Sequence, residues 1–534
     1  MESSSQMKFI NFLNNSKFFI LFLILGLVFF IHPMLSSNFD LMIGDKISTL
    51  YNNYVLEHSY LWLMQDKMHP NFWSAPFGVQ ENVIANSDAL IGILPIYWFI
   101  RSLIQNPFTS FQILFIVLCI LNYSTFYYFL YKQLKFSNFA SAFASFIFAF
   151  NLLRYFRSFE IGYFSQFLTI LAIIFLFKTS IENKRIINHV YYLIASIFII
   201  LQFYTCFSLG FFTIFFVIFG TILGSIPKSS REEIINYLKS FWQFILFYSI
   251  VIGLMLLPMS YHFSLLGEEN VKTLSSQLET IFSSMIWIKN ISLLDSVFLK
   301  KIPFVGYDAY QLTNCSVGIF TLILSIFAIW KMAKYRGALI LSLIFIYFVS
   351  CNEIAIGFWR ICYYLFIGTE GLDAFCHIVF IGLIIFSIGC GYLIQYFEQN
   401  VIKNKIITNI LMIFIILFLI IEQFPMNKDN NSYWKNYILS KKELQKEIDS
   451  ITKQVSTDIK YINITCEEIN KEKYGVDDIK NKKKLAKKYS DLISMYSAMK
   501  LGIYSLNDYF EQENSIKQPK NAQNIIHIVD FDKI

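Results

Sequence analysis

The chain has 534 residues, of which 56% are hydrophobic and 15% charged, with a net charge of +7 and a mean hydropathy of +0.51. A soluble domain carries about 25% charged residues, so this composition excludes a soluble globular protein and predicts one embedded in a bilayer. No basic patch with interleaved aromatic residues is present, which excludes nucleic acid as a partner. The eight cysteines form no CxxC pair and no metal-ligand spacing, so we expect neither a disulfide framework nor a zinc site.

The first hydrophobic segment, near 17–35, lacks a small-residue cleavage site and is predicted to be a retained anchor. A polar loop, Ser36–Asp88, follows it. Apolar residues at helical spacing between Leu50 and Trp62 predict an amphipathic helix on the membrane surface, and a solvated loop packed on the bundle is the alternative. Carboxylates this close to a bilayer favour chemistry on a lipid-linked substrate. They are Asp40, Asp45, Glu57, Asp66, Glu81 and Asp88.

The next segment, Ala89–Leu103, is apolar but short, and it contains Pro95, Trp98 and Arg101. Counting it as a membrane span would place the basic residues that follow it outside the cell. It is therefore interpreted as an interfacial or re-entrant helix, and the first exterior loop extends over 36–109.

About eleven membrane spans are predicted. They are 17–35, 110–131, 138–153, 161–177, 190–204, 207–224, 240–259, 316–330, 337–351, 374–396 and 406–422. Alternate loops between them hold pairs or clusters of Lys and Arg, such as Lys132 with Lys135 and Lys184 with Arg185. By the positive-inside rule these loops and the N-terminus face the cytoplasm. We therefore expect a multi-pass protein of a bacterial cytoplasmic membrane with its C-terminal region outside.

The last part of the chain changes character and becomes rich in Lys, Glu, Asp and Asn. Lys441–Lys453 and Tyr489–Lys500 have the periodicity of helices, and Asp458–Thr465 and Ile525–Val529 that of strands. The predicted organisation is a transmembrane core over 1–422 and a small exterior α/β domain over 423–534. Because the tail has no phosphate loop, nucleophile elbow or His/Cys cluster, a substrate-shaping or partner-binding role is favoured over catalysis.

Two loop carboxylates are the candidate catalytic residues. Asp45 follows Gly44 about ten residues after the first span, where an interfacial carboxylate can accept a proton from an acceptor hydroxyl. An Asp that caps the helix starting at Lys46 fits the same spacing equally well. Glu160 lies in a short exterior turn and is the second candidate.

Four further residues are candidates for binding substrate or phosphate. Arg154 and Arg157 flank Glu160, and guanidinium groups bind phosphate oxygens bidentately, although snorkelling at lipid headgroups is the alternative. Asp88 either binds substrate or caps the helix that follows. Arg360 is an exterior cation that either binds a lipid phosphate or anchors its segment at the membrane interface. The histidines show no HxxxH or HExxH arrangement, and the sequence implies no organic cofactor and leaves a divalent metal open.

The first span, the Gly44-Asp45 pair, the long exterior loop and the stretch NSDALIGILPIYWFI together resemble the start of the GT-C superfamily. These are polytopic glycosyltransferases that use polyprenyl-linked sugars. ASFIFAFNLLRYFRSFEIGYFSQFLTILAIIFL, GLDAFCHIVFIGLIIFSIGCGY and YSAMKLGIYSLNDYF resemble a bacterial group with GT-C-like cores. The resemblance implies an inverting transfer with Asp45 near the reacting centre and Glu160 as a further acid. The first loop lacks a DxD motif and the tail lacks a WWD-type signature, so the resemblance does not fix metal dependence.

Three functions follow as hypotheses. The leading one is a membrane glycosyltransferase that moves a sugar from a polyprenyl-phosphate donor to an exterior cell-envelope glycan or lipid. The second is a lipid-glycan transporter or flippase, which is disfavoured because few charges lie inside the predicted spans. The third is a non-catalytic membrane scaffold whose tail recruits partners.

Overall fold

The structure is a computed structural model that describes residues 17–44, 46–75, 83–158, 160–180, 184–265, 319–332, 335–351, 353–365, 372, 375–399, 405–423, 439–454, 461–464, 479–501, 504–505 and 525–528. The core begins with helix α1 (Lys17–Phe30), α2 (His32–Ser36), strand β1 (Leu41–Met42), α3 (Lys46–Leu63), α4 (Leu94–Leu103) and α5 (Pro107–Tyr128). It continues with α6 (Asn138–Ala149), α7 (Leu152–Phe156), α8 (Phe167–Thr179), α9 (Arg185–Thr205), α10 (Phe207–Gly224) and α11 (Lys228–Ser264).

The later core helices are α12 (Ile319–Lys331), α13 (Arg336–Cys351), α14 (Glu353–Leu365), α15 (Val379–Gln399) and α16 (Lys405–Glu422). The tail follows with β2 (Leu439–Ser440), α17 (Lys441–Thr452), β3 (Tyr461–Ile464), α18 (Ile479–Leu501), β4 (Tyr504–Ser505) and β5 (Ile525–Ile528). Single 3₁₀ turns cover Val83–Asn86, Ile91–Ile93, Ile161–Ser165 and Phe375–Ile378.

Local capping fixes where several core helices begin. The Asn106 side chain accepts a hydrogen bond from the amide of Thr109 at 3.0 Å, and Pro107 occupies the first position of α5. Ser137 accepts from the amide of Ala140 at 3.0 Å at the start of α6. Both caps satisfy amides that have no partner inside the helix, so the turns between the apolar segments are encoded in the sequence.

The helical, membrane-type fold predicted from hydropathy is confirmed. Six of the described helices are long and apolar enough to cross a bilayer, namely Pro107–Gln133, Ile161–Thr179, Arg185–Thr205, Phe207–Gly224, Lys228–Ser264 and Val379–Gln399. A shorter helix lies at each of the other five predicted positions: α1, α6, α12, α13 and α16. The segment Ala89–Leu103 forms only a 3₁₀ turn and the ten-residue α4, which is about 15 Å long and too short to span.

Helix α3 does not lie on the membrane surface with its apolar face in lipid. Leu50, Tyr54 and Val55 are fully buried because that face packs against the tail helix α18, whose Tyr496 hydroxyl donates to the carbonyl of Leu50 at 2.9 Å. The predicted helix is therefore present, but its apolar face contacts protein, and only the packing on the bundle is shared with the alternative interpretation. An apolar helical face alone does not distinguish lipid from protein as its partner.

Two buried histidines hold the segment after α3 in place. The His58 Nδ1 and His69 Nδ1 atoms are 2.6 Å apart, and His58 Nε2 is 2.9 Å from the carbonyl of Phe72. A carbonyl can only accept, so His58 Nε2 donates to it, and His58 Nδ1 then accepts from His69. Burial, above all, lowers the pKa of His58 to about 4 and that of His69 to about 3. Both imidazoles are therefore neutral at physiological pH.

The tail contains the predicted elements and is attached to the first loop. The predicted helices and strands of the tail overlap α17, α18, β3 and β5, and β4, β3 and β5 form a parallel three-stranded sheet. In addition, β1 of the first loop pairs antiparallel with β2 of the tail, Met42 opposite Leu439. The opening loop and the C-terminal part therefore meet on one surface of the protein.

A candidate carboxylate site at the polar end of the bundle

Contacts between distant segments define two ends of the bundle. At one end, which we call the polar end, the amide of Gly92 donates to Thr205 Oγ1 at 2.7 Å and Asn151 Nδ2 donates to Gln423 Oε1 at 2.7 Å. The first loop, the turn after α6, the α9–α10 junction and the end of α16 thus lie together. At the opposite end, which we call the basic end, Arg185 Nη2 donates to Gln243 Oε1 at 2.9 Å.

Asp88 of the first loop lies at the junction of α9 and α10. One carboxylate oxygen, Oδ1, accepts from the amide of Phe207 at 3.1 Å, the first residue of α10. The Cys206 thiol donates to the same carboxylate. The other oxygen, Oδ2, lies 2.6 Å from the position that a Cβ atom would occupy at residue 162. Glycine at position 162 is therefore what allows the carboxylate to approach the 3₁₀ turn.

The surroundings of Asp88 favour its neutral form. Desolvation raises the pKa of this half-buried carboxyl to about 6, and the negative charge of Glu160 adds to the increase. The Phe207 amide and the Cys206 thiol oppose it by hydrogen bonding the anion. Burial in turn raises the pKa of the Cys206 thiol, which keeps it a donor. A carboxyl that titrates near neutrality is suited to exchanging protons with a substrate.

Glu160 and Arg157 form an ion pair beside Asp88. Arg157 Nη1 donates to Glu160 Oε1 at 3.0 Å, and the two side chains are 12% and 27% exposed. The pair lies on the turn between α7 and the 3₁₀ segment that carries Gly162, and the Glu160 amide donates to the carbonyl of Arg157 at 3.0 Å. Three of the residues singled out in the sequence, Asp88, Glu160 and Arg157, are thereby brought together.

Arg154 has a structural role instead. Its side chain is fully buried, its Nε donates to the carbonyl of Phe148 at 2.9 Å and its Nη1 to that of Tyr163 at 2.8 Å, and its Nη2 donates to Gln166 Oε1. The guanidinium also lies 4.7 Å from the centre of the Phe148 ring. A phosphate group cannot reach it without displacing these partners, so Arg154 fixes the turn that carries Arg157.

The two remaining candidates from the sequence are Asp45 and Arg360. Asp45 lies outside the described residues, although Gly44 before it has a φ of 115°, a left-handed conformation that favours glycine. Arg360 is exposed on α14.

Two further residues, Tyr163 and His377, lie beside the cluster and contact each other. The Tyr163 hydroxyl is hydrogen bonded to His377 Nδ1, and the Tyr163 ring stacks on Phe380 at 4.6 Å. Both Tyr163 and His377 are buried, which ties the turn carrying Glu160 to the start of α15. The two residues are 214 positions apart, and no local pattern signals their contact.

The other described carboxylates of the first loop have different partners. Glu57 binds Arg101 bidentately, with both N–O distances 2.8 Å, and accepts from the Tyr97 hydroxyl at 2.8 Å. Asp40 attaches the tail, since its Oδ2 accepts from Ser440 Oγ at 2.8 Å. Asp66 is exposed and caps a turn through the amide of Met68. These three are structural, which leaves Asp88 as the described loop carboxylate available for chemistry.

Among the described residues, no group of three or more His, Cys, Asp or Glu side chains is arranged to hold a metal ion. The fold and this site define a helical membrane protein that carries a carboxylate cluster where its polar loops meet. No protein-family model and no curated protein matches the sequence.

Proposed function

We propose that this chain is a membrane glycosyltransferase of GT-C type. It transfers a sugar from a polyprenyl-phosphate-linked donor to an exterior glycan or lipid acceptor of a bacterial cell envelope. The observation that carries the proposal is Asp88, a half-buried carboxyl whose pKa is raised to about 6, beside the Glu160–Arg157 pair. In the described part of the chain no Lys or Arg forms an ion pair with Asp88, so no cation holds this acid in its ionised form, although it accepts hydrogen bonds from the Phe207 amide and the Cys206 thiol.

In the proposed topology about eleven helices cross the membrane, with the N-terminus inside and the α/β tail of 423–534 outside. The separation of the two ends supports this orientation. Lys178 and Arg185 belong to the end opposite the Asp88 cluster, and positive residues favour the cytoplasmic side. The polar end, with the first loop and the tail, then faces outward, where an envelope acceptor is accessible.

In the proposed reaction, the acceptor hydroxyl oxygen forms a bond to the anomeric carbon of the sugar. The bond from that carbon to the phosphate oxygen of the carrier breaks, and the polyprenyl phosphate leaves with the electron pair. Asp88 accepts the hydroxyl proton, and Arg157, held by Glu160, stabilises the negative charge on the leaving phosphate. Asp45, the acid suggested by the GT-C resemblance, orients the acceptor.

The test uses purified protein incubated with a labelled polyprenyl-phosphate sugar and an envelope-lipid acceptor. Removing a positioned base lowers turnover by about 10²–10⁴-fold, so Asp88→Asn should abolish most product. Asp66→Asn is the matched control because Asp66 is an exposed acid of the same loop. Wild-type turnover should fall as the pH drops through about 6, since the base must be ionised.

Three results would count against the proposal in different ways. Unchanged turnover in Asp88→Asn would remove Asp88 as the base while leaving the enzyme class intact, and Asp45→Asn would then be the variant to measure. Movement of the labelled lipid across vesicles without sugar transfer would identify a flippase. Neither transfer nor movement would favour a scaffold.

A further inference from the structure

A groove lies between the C-terminal halves of α5 and α8, toward the basic end of the bundle. Its volume is about 290 Å³. Leu171 and Phe175 contribute apolar walls, Ser124 and Tyr128 contribute hydroxyls, and Lys178 contributes a cation. The groove thus combines apolar walls with hydroxyl groups and an ammonium group, and groups of these two kinds bind the phosphate of a lipid headgroup.

The polar and apolar linings are separated along the bundle. Lys178 is in the last turn of α8 and Tyr128 is the last residue of α5, so both lie near the basic end. Leu171 is two turns earlier in α8, about 10 Å deeper at 1.5 Å per residue. One end of the groove therefore lies at the depth of headgroups, and the other reaches into the hydrocarbon region.

The lysine is held at this position by aromatic rings. Lys178 Nζ lies 4.9 Å from the centre of the Phe175 ring and 5.6 Å from that of Tyr191. Contacts of this kind attract the ammonium group to the ring faces. They restrain a side chain that would otherwise sample many rotamers, so its charge is positioned beside the groove.

The backbone of α5 is irregular next to the groove. After Tyr128 the helix continues as a π-helical turn over Phe129–Gln133, and this turn contacts α8. A π turn is a rare conformation that is enriched at functional sites. Tyr128, at its start, is 43% exposed, so its ring and hydroxyl are accessible beside the groove.

We infer that this groove is a binding site for an anionic phospholipid. One acyl chain lies along Leu171 and Phe175, and the phosphate accepts from Lys178 and from the hydroxyl of Tyr128. The occupant is a bilayer lipid because the groove opens on the side of span-forming helices. It is anionic because Lys178 places a positive charge at the end of the groove where the headgroup would lie. The site is independent of the proposed glycosyl transfer.

Native mass spectrometry of delipidated full-length protein titrated with phosphatidylglycerol or phosphatidylcholine tests the site. One lysine at a membrane surface contributes roughly fivefold in affinity for an anionic lipid, so Lys178→Gln should weaken phosphatidylglycerol binding by about that factor and phosphatidylcholine binding by clearly less, because its choline group offsets the phosphate charge. Leu171→Trp fills the groove and should remove tight binding of both lipids. Lys331→Gln is the matched control, because Lys331 also ends a helix with its Nζ over a ring, 5.4 Å from Phe327.

Several outcomes would overturn the inference. Equal losses in Lys178→Gln and Lys331→Gln would mean that the lysines contribute only a general surface charge. An unchanged phosphatidylglycerol affinity in Lys178→Gln would remove the headgroup contact even if Leu171→Trp failed to fold. Displacement of the lipid by inorganic phosphate at the same concentration would show that the site binds a free anion.

Discussion

Replacing Asp88 by asparagine should stabilise the protein while it removes the proposed activity. Burial raises the pKa of this carboxyl from its ordinary value of 3.8 to about 6 in the folded protein, so ionising it disfavours the folded state. A difference of about two pKa units corresponds to roughly 3 kcal/mol at neutral pH. The amide oxygen of the replacement side chain can still accept from the Phe207 amide, so the variant loses the buried charge and retains the helix cap.

The pH dependence gives the sign of the effect. A raised folded-state pKa means that the folded protein binds more protons than the unfolded chain between pH 4 and 6, so the contribution of Asp88 is lost as the pH rises through that window. The gain in unfolding free energy from Asp88→Asn should therefore be largest above pH 7 and fall to about half by pH 5. Thermal unfolding in detergent at pH 7.5 and 5.0 measures both values.

Asp40→Asn is the informative comparison because Asp40 belongs to the same loop and is bound to the tail. Its carboxylate accepts from Ser440 Oγ at 2.8 Å and from the amide of Lys442 at 3.1 Å. Hydrogen bonds to charged groups contribute about 1.5–3 kcal/mol each, so this variant should be destabilised. If Asp88→Asn also lowers the unfolding midpoint at pH 7.5, Asp88 is a structural cap and the reasoning for a catalytic acid fails.

Three further changes test the framework around the site. Glu57→Gln removes the buried carboxylate that pairs with the half-buried Arg101 and should destabilise the protein by about 3 kcal/mol, measured as a lower unfolding midpoint at pH 7.5. Acidification from pH 7.5 to 5 should destabilise the wild type by about 2 kcal/mol for each buried histidine, because folding holds their pKa values at about 4 and about 3, and His69→Asn should remove roughly half of this loss. Gly162→Ala should displace the Asp88 carboxylate, since the new Cβ would lie 2.6 Å from Oδ2, and should lower sugar transfer at least ~10-fold.

Each of these changes has a control in the same protein. Lys500→Gln breaks an exposed ion pair and should change stability by less than about 1 kcal/mol; a loss as large as that of Glu57→Gln would contradict the burial argument. His32→Asn removes an exposed imidazole and should leave the acid sensitivity intact. Gly220→Ala places its Cβ no closer than 3.7 Å to a neighbour, so equal losses of transfer in both glycine variants would refute the steric explanation.

Apolar segment length and short polar turns were sufficient to predict the helical fold. Within the described residues a helix lies at each predicted span, because an apolar segment in a bilayer leaves the backbone no hydrogen-bond partner but itself. The helix over 138–149 begins where Ser137 caps it, a signal that is readable in the sequence. What hydropathy did not predict is the partner of an apolar face, as α3 shows by packing against the tail helix α18.

The carboxylate site could be predicted only in part. The turn that carries Arg157 and Glu160 is local, and their pairing at a spacing of three residues follows from it. Asp88 meets the amide of Phe207 across 119 positions of sequence, and such a contact depends on how α9 and α10 pack against the first loop. Sequence alone therefore gave equal standing to Arg154 and Arg157, although packing buries the first and leaves the second beside Glu160.

Gly162 allows the Asp88 carboxylate to pack closely against the 3₁₀ turn. The 3₁₀ turn that carries it brings the backbone against the Asp88 carboxylate and Cys206, and any side chain there would meet Oδ2 at 2.6 Å and Cys206 Cβ at 3.2 Å. Close packing desolvates the acid and raises its pKa, whereas the Phe207 amide, at the positive end of α10, limits the increase. The same packing that disfavours the charged form thus keeps the pKa of the acid close to neutral pH, where proton transfer is most efficient. Stability and activity at this position are therefore expected to oppose each other.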